Sequence, residues 1–202
     1  AQERLSIFEP LAALGSVRYD RVELSVQDDF LEDGDASGRR TFEQVTAQGG
    51  LLGTVTRGLE LYGNVSQSFE TPTLSELVNA SPEGGLSQTL DPQKALSVEA
   101  GARLRNRWVR AEATGFYIDL EDELIAREDE LNRTIFVNAG ASRRVGAEAS
   151  LRLGPVRGAD LTVAYTFLRS TFEDDGPGEA SRRGNLIPGL PEHRLFARLR
   201  YD

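Results

Sequence analysis

The sequence predicts an all-β fold in which antiparallel strands run up and down as a transmembrane β-barrel. Three observations carry this: at least six segments alternate with a period of two and keep one face free of charge; the connections alternate between short and long; and aromatic residues fall near both strand ends.

Taken in order, residues 3–8 read as the end of a strand closed by Glu9-Pro10. Residues 11–26 form the next strand, with an alternation that shifts near Asp20, and 42–56 the third, closed by Arg57-Gly58. In 59–66, Leu59, Leu61, Gly63 and Val65 oppose Glu60, Tyr62, Asn64 and Ser66. Residues 96–104 set Leu96, Val98, Ala100, Ala102 and Leu104 against Ser97, Glu99, Gly101 and Arg103. In 108–117 the uncharged set is Val109, Ala111, Ala113, Gly115 and Tyr117, and in 145–153 it is Val145, Ala147, Ala149, Leu151 and Leu153. Leu161, Val163, Tyr165 and Phe167 give another such face, and Leu195, Ala197, Leu199 and Tyr201 the last, opposite Arg194, Arg198 and Arg200. A helix is the poorer reading, because Gly recurs inside the segments and Ser97, Glu99, Arg198 and Arg200 interrupt any stripe at 3.6 spacing.

Short turns at 9–10, 57–58, 105–107 and 154–160 alternate with long connections at 28–40, 69–94, around 128–133 and 172–193. In a meander, successive connections lie at opposite ends of the sheet, so one end is all short turns and the other all long loops. That is the pattern of an outer-membrane barrel. A soluble β-sandwich shares the alternation. The loop asymmetry favours the barrel, as do Trp108 and Tyr201 near the short-turn end with Tyr117 and Phe167 toward the loops.

Composition narrows function further. With 23 Lys+Arg against 32 Asp+Glu and a net charge of -9, the chain lacks the basic surface that nucleic acid requires. Cysteine is absent, which removes disulfides, thiolate metal sites and a cysteine nucleophile. No run of about 18 apolar residues offers a transmembrane helix. The start, AQERLSIFEP, lacks the basic and apolar regions of a signal peptide. Residues 33–44 (DGDASGRRTFEQ) begin like an EF-hand loop but put Gln44 where the bidentate Glu belongs, with strand-like flanks, so calcium is not expected. His193 is the one histidine and reads as a polar residue at a strand start. GxSxG, P-loop and GxGxxG motifs are absent, and no acid/base pair of carboxylates stands out, so the chain is not expected to be an enzyme or to hold a cofactor or metal.

The passage LELYGNVSQSFETPTLSEL, followed by LDPQKALSVEAGARL, resembles the barrel of TonB-dependent outer-membrane receptors. GSVRYDRVELSV, ATGFYIDLEDELI, FVNAGASRRVGAEASL, LTVAYTFLRSTFED and GNLIPGLPEHRLFARLRY are similar to further parts of that barrel. The resemblance implies about nine strands of a 22-stranded barrel around a plug, outer-membrane lipid and a TonB complex as partners, and a scarce ligand such as a ferric siderophore. It makes residues 1–202 a partial barrel domain, an internal piece without the plug, the TonB box, the early strands and the last ones. A plug-free passive barrel or a soluble β-sandwich binding module are the alternatives. The polar face would then line the lumen, with Glu99, Arg103, Arg110, Glu112, Glu148 and Arg152 facing a plug or water. Ligand-facing positions would include Ser68, Phe69 and Thr71 near the outer side, and Arg182 and Arg183 in a loop, where they would meet an anionic chelate.

Overall fold

A computed structural model describes residues 2–8, 10–29, 32, 35–79, 85–128, 132–138, 140–173 and 182–201. The strands in chain order are β1 (Gln2–Phe8), β2 (Leu11–Val26), β3 (Gly38–Thr56), β4 (Leu59–Glu70), β5 (Gln93–Arg105), β6 (Val109–Glu121), β7 (Leu124–Glu128), β8 (Thr134–Asn138), β9 (Ser142–Val156), β10 (Ala159–Phe172) and β11 (His193–Tyr201); one helix, α1 (Leu74–Asn79), lies between β4 and β5.

Nine strands form one antiparallel sheet in the order β1-β2-β3-β4-β5-β6-β9-β10-β11, and β7 and β8 make a separate hairpin. The nine strands read from the sequence are the nine of this sheet. Because neighbours in the chain are neighbours in space, the meander puts its short connections at one end and its long ones at the other. Among the described residues no second large sheet packs across the first, so these strands do not form a β-sandwich.

Register fixes two faces. Leu61 lies beside Ala102, which pairs with Ala113, then Ala149, Tyr165 and Leu195, so one row of uncharged side chains crosses six strands. One residue along, Tyr62, Gly101, Thr114, Glu148, Thr166 and Arg194 make the next row on the opposite face. Leu61 and Val65 are about half exposed, at 49% and 47%, and Leu199 is 73% exposed. A soluble protein rarely leaves so broad an apolar surface uncovered, whereas a sheet lying against hydrocarbon requires it.

The core sits elsewhere, in a cap at the long-loop end. Phe42, Leu77, Leu86 and Leu90 are buried together, with Leu24, Val26, Leu124 and Phe136 packed against them. The shift of alternation near Asp20 has its cause here. The register runs on unbroken through Asp20–Gln44 to Val26–Gly38, but past Asp20 the apolar residues Val22, Leu24 and Val26 occupy the face that holds Ser16, Arg18 and Asp20 just before them. The apolar side chains change face because that end of the hairpin packs on loop residues.

Two elements of the cap fall in stretches that the sequence presents as plain connection. Helix α1 starts with a capping box: the Thr73 amide donates to Glu76 Oε2 at 2.7 Å and the Glu76 amide to Thr73 Oγ1 at 3.4 Å. The β7–β8 hairpin pairs Leu124 with Asn138 through Glu128 with Thr134, in what sequence took as a loop around 128–133; residues 129–131 lie outside the described set. Side chains at strand ends then staple the loops. Arg40 donates to the carbonyls of Ser87 (2.6 Å) and Leu90 (3.0 Å), and Asn138 donates to the carbonyls of Asp91 (2.9 Å) and Asp122 (2.8 Å).

The EF-hand-like stretch takes another shape. Positions from Gly38 onward, Gln44 included, are β3 paired to β2, so the second half of the motif is extended strand; Asp33 lies outside the described residues. Asp28 accepts from the Ala36 amide at 2.9 Å, and Asp35 from the Ser37 amide at 2.9 Å. The Ser37 hydroxyl and amide hold the Asp35 carboxyl below the usual range.

Candidate functional site: the charged face of the sheet

The six residues read as lumen-facing, Glu99, Arg103, Arg110, Glu112, Glu148 and Arg152, share one face by register. Tyr62 organises its centre. A Cβ built on Gly101 would sit 2.5 Å from the Tyr62 ring, so the ring lies flat over the glycine of the neighbouring strand. Its hydroxyl reaches two strands away to Thr114 Oγ1 at 2.5 Å and donates to Glu112 Oε1 at 3.1 Å. Arg103 grips the same carboxylate at both ends, through Nη2 to Oε1 at 2.8 Å and Nε to Oε2 at 3.3 Å, with Glu60 at 4.0 Å. Its guanidinium stands 5.5 Å from the centre of the Tyr62 ring. Asn64 donates to Glu99 at 3.2 Å. More than a third of the Arg103 and Glu112 side chains remains exposed, so the pair contributes at most about 1 kcal/mol and acts chiefly to fix positions. Phe116 repeats the ring-over-glycine arrangement on Gly146.

Several cavities lie around this lattice, and three of them border the residues singled out above. On β2–β4 the same face turns apolar, where Ala12, Leu14, Leu52 and Tyr62 line a hollow of about 570 Å³. At the short-turn end a cavity of about 210 Å³ is bounded by Arg103, Arg105, Arg110, Glu112, Arg152 and Thr162. The third arises where hairpins separate: β3 pairs with β4 only as far as Gln48–Ser66, while β2–β3 and β4–β5 each continue outward. The wedge between them, about 370 Å³, is lined by Arg18, Asp20, Thr46 and residues 67–71. Ser68, Phe69 and Thr71 therefore border one cavity, although register puts Ser68 with Ala95 on the charged face and Phe69 with Lys94 on the other. Arg182 and Arg183 are not brought to it. They precede the stretch that lies along β10, with the Gly184 amide donating to Phe172 O at 2.7 Å and the Ile187 amide to Ser170 O at 2.9 Å, and β5, β6 and β9 stand between β4 and β10.

His193 lies on the uncharged face, where its Nδ1 is 2.8 Å from the Tyr165 hydroxyl and its ring 5.4 Å from that of Phe167. With Tyr117 at the same end and Tyr201 at the other, this face carries aromatic residues at both of its ends and Ala and Gly between. The sequence profile of the TonB dependent receptor-like, beta-barrel family matches residues 1–202.

The chain belongs to this TonB-dependent receptor family. Solved structures agree on the fold. The copper transporter OprC superposes with a TM-score of 0.77 at 17% identity, over 98% of this chain and 30% of its own. The ferric yersiniabactin uptake receptor FyuA from Yersinia pestis gives 0.74 at 19% identity, over 98% and 30%. The siderophore receptor PiuA from Acinetobacter baumannii gives 0.74 at 19%, over 95% and 28%. The chain thus spans less than a third of the length of these proteins, and its nine-stranded sheet is open because it corresponds to part of a barrel wall.

In such a receptor barrel the tyrosine lattice, the apolar hollow and the arginine-lined cavity occupy one face together. Sequence alternation identified that face. It did not reveal that Tyr62 reaches across two strands, nor that Arg40 clamps a loop. The first needs the glycine at 101 to be matched with the aromatic at 62 through the register; the second depends on a contact 47 residues away in the chain.

Proposed function

We propose that this chain is a wall segment of an outer-membrane TonB-dependent receptor that takes up a scarce ligand, a ferric siderophore. The reading is carried by the family match over the whole chain, joined to a sheet in which one face is free of charge through its middle rows and the other is charged. The charge-free face lies against outer-membrane lipid, and the charged face, with Glu99, Arg103, Arg110, Glu112, Glu148 and Arg152, lines the lumen and meets a plug domain carried elsewhere on the polypeptide. Energy reaches the receptor through the TonB complex, and no step of chemistry is asked of these residues. The wedge at Ser68, Phe69 and Thr71 opens toward the outer side, and Arg182 and Arg183 add positive charge in a loop there; Ser68, Thr71, Arg182 and Arg183 are the ligand-facing residues of this segment, and Phe69, which register puts on the uncharged face, borders the wedge from its outer flank.

Two relatives are named for ferric or siderophore uptake and one for copper. The segment contains one His and no Cys or Met, a poor supply of the soft donors a copper site uses, and a pre-formed ferric chelate needs no protein ligand to its metal. The test is uptake of labelled ferric chelates by iron-starved cells carrying the full-length receptor. Expected is accumulation that stops when the TonB complex is removed and falls at least fivefold with Arg182→Gln/Arg183→Gln. Copper accumulation without any ferric chelate uptake would overturn the assignment.

A further inference from the structure

We propose that Arg105, Arg110 and Arg152, together with the Thr162 hydroxyl, form an oxyanion-binding site on the charged face beside the short turns. Register lines them up: Arg105 pairs with Arg110, Arg110 with Arg152, and Arg152 with Thr162, so four adjacent strands contribute one residue each to a single row. Directly opposed residues in a sheet have Cβ atoms about 5 Å apart, and like charges at that spacing repel. Other arginines of this chain escape such repulsion. Arg18, Arg21, Arg39, Arg40, Arg103, Arg143 and Arg144 each have a carboxylate within 4.0 Å. Among the described residues Arg105, Arg110 and Arg152 have no carboxylate within 4.0 Å and no side-chain hydrogen bond; the neighbouring carboxylate, Glu112, is bonded to Arg103 and Tyr62 and is attracted by Arg105 without direct contact.

The row also has a receptacle. The three arginines line the cavity of about 210 Å³ along with Ser150, Thr162 and the Arg103–Glu112 pair, and Thr162 Oγ1 is buried with no partner. Three forked cations and a buried hydroxyl around a small concavity fit a compact, multiply charged oxyanion, because each guanidinium can offer two parallel N–H donors to phosphoryl or carboxylate oxygens. The excess of acidic residues in the chain makes this local excess of positive charge more distinctive, since it is not part of a generally basic surface. The assignment follows from register and cavity and does not depend on which ligand the receptor imports.

The test is titration calorimetry of the full-length receptor folded in detergent, at constant ionic strength, with inorganic pyrophosphate and with citrate as probes. Expected is saturable binding of at least one probe that weakens tenfold or more in Arg110→Gln/Arg152→Gln and is unchanged in Arg39→Gln, whose side chain pairs with Glu23 on the other face. Pyrophosphate binding alone marks a phosphoryl ligand, and equal citrate binding marks clustered carboxylates; both support the site. If the double variant does not fold, the wild-type protein decides: the bound probe should protect Arg110 and Arg152 from phenylglyoxal, read by mass spectrometry. No saturable binding, or binding that follows ionic charge alone and is equally lost in Arg39→Gln, overturns the proposal.

Discussion

Tyr62 lies across Gly101 because only hydrogen occupies the space above that Cα. Any Cβ there would meet the ring carbon at 2.5 Å, the phenol oxygen at 2.6 Å and the Ala113 carbonyl oxygen at 2.6 Å. Two of those atoms belong to a side chain that can swing away; the third is backbone of β6 and cannot. Gly101→Ala is therefore expected to cost about 1–3 kcal/mol and to break the bonds from Tyr62 to Thr114 and Glu112. Unfolding in guanidinium would report the first effect. The second predicts that Tyr62→Phe, which removes the hydroxyl but keeps the ring over Gly101, costs less than Gly101→Ala; the reverse order would mean that the hydrogen bonds dominate the lattice.

The strands and the cap differ in how far sequence determined them. Alternation located all nine strands of the sheet because each needs one face free of charge over its whole membrane-crossing length, a constraint that repeats every second residue. It showed a phase shift near Asp20 without its cause, since Leu24 and Val26 pack on a cap whose Leu77, Leu86 and Leu90 are distant in sequence. Helix α1 has only six residues, too few for a 3.6 period to show, yet its Thr-Leu-Ser-Glu start was a visible capping signal. Strands β7 and β8, five residues each, gave no period long enough to detect. Since Leu77 on α1 is 0% exposed at the centre of the cap, Leu77→Ala is expected to loosen the cap by about 2–5 kcal/mol. Hydrogen exchange should then speed up across 74–90 while the amides of β5, β6 and β9 keep their protection. Equal loss of protection in those strands would show that cap and wall unfold as one unit.

For the molecule as a whole, the distribution of polarity is the controlling fact. A nine-stranded sheet with a broad apolar face has no soluble partner layer among the described residues, and its two outermost strands, β1 and β11, each have a neighbour on one side only. Unpaired strand edges and exposed Leu, Val and Tyr are costly in water and in lipid alike unless further strands and a bilayer cover them. Membership of the receptor family accounts for both needs, since its barrels continue the wall and sit in a membrane. The charged side carries a tyrosine-centred lattice at mid-height and an arginine row near the short turns, with a cap of stapled loops at the far end.

The central claim is that neighbouring residues of one strand face opposite media. Glu148 and Ala149 on β9 decide it. Because this chain has no cysteine, Glu148→Cys and Ala149→Cys each introduce a single thiol into it for a polarity-sensitive fluorophore, in the full-length protein folded in bilayers. With a nitroxide on the lipid acyl chains, the label at 149 should be strongly quenched and blue-shifted, and the label at 148 should be left bright and reached by aqueous iodide. Equal quenching at the two positions, or stronger lipid quenching at 148, would contradict the account.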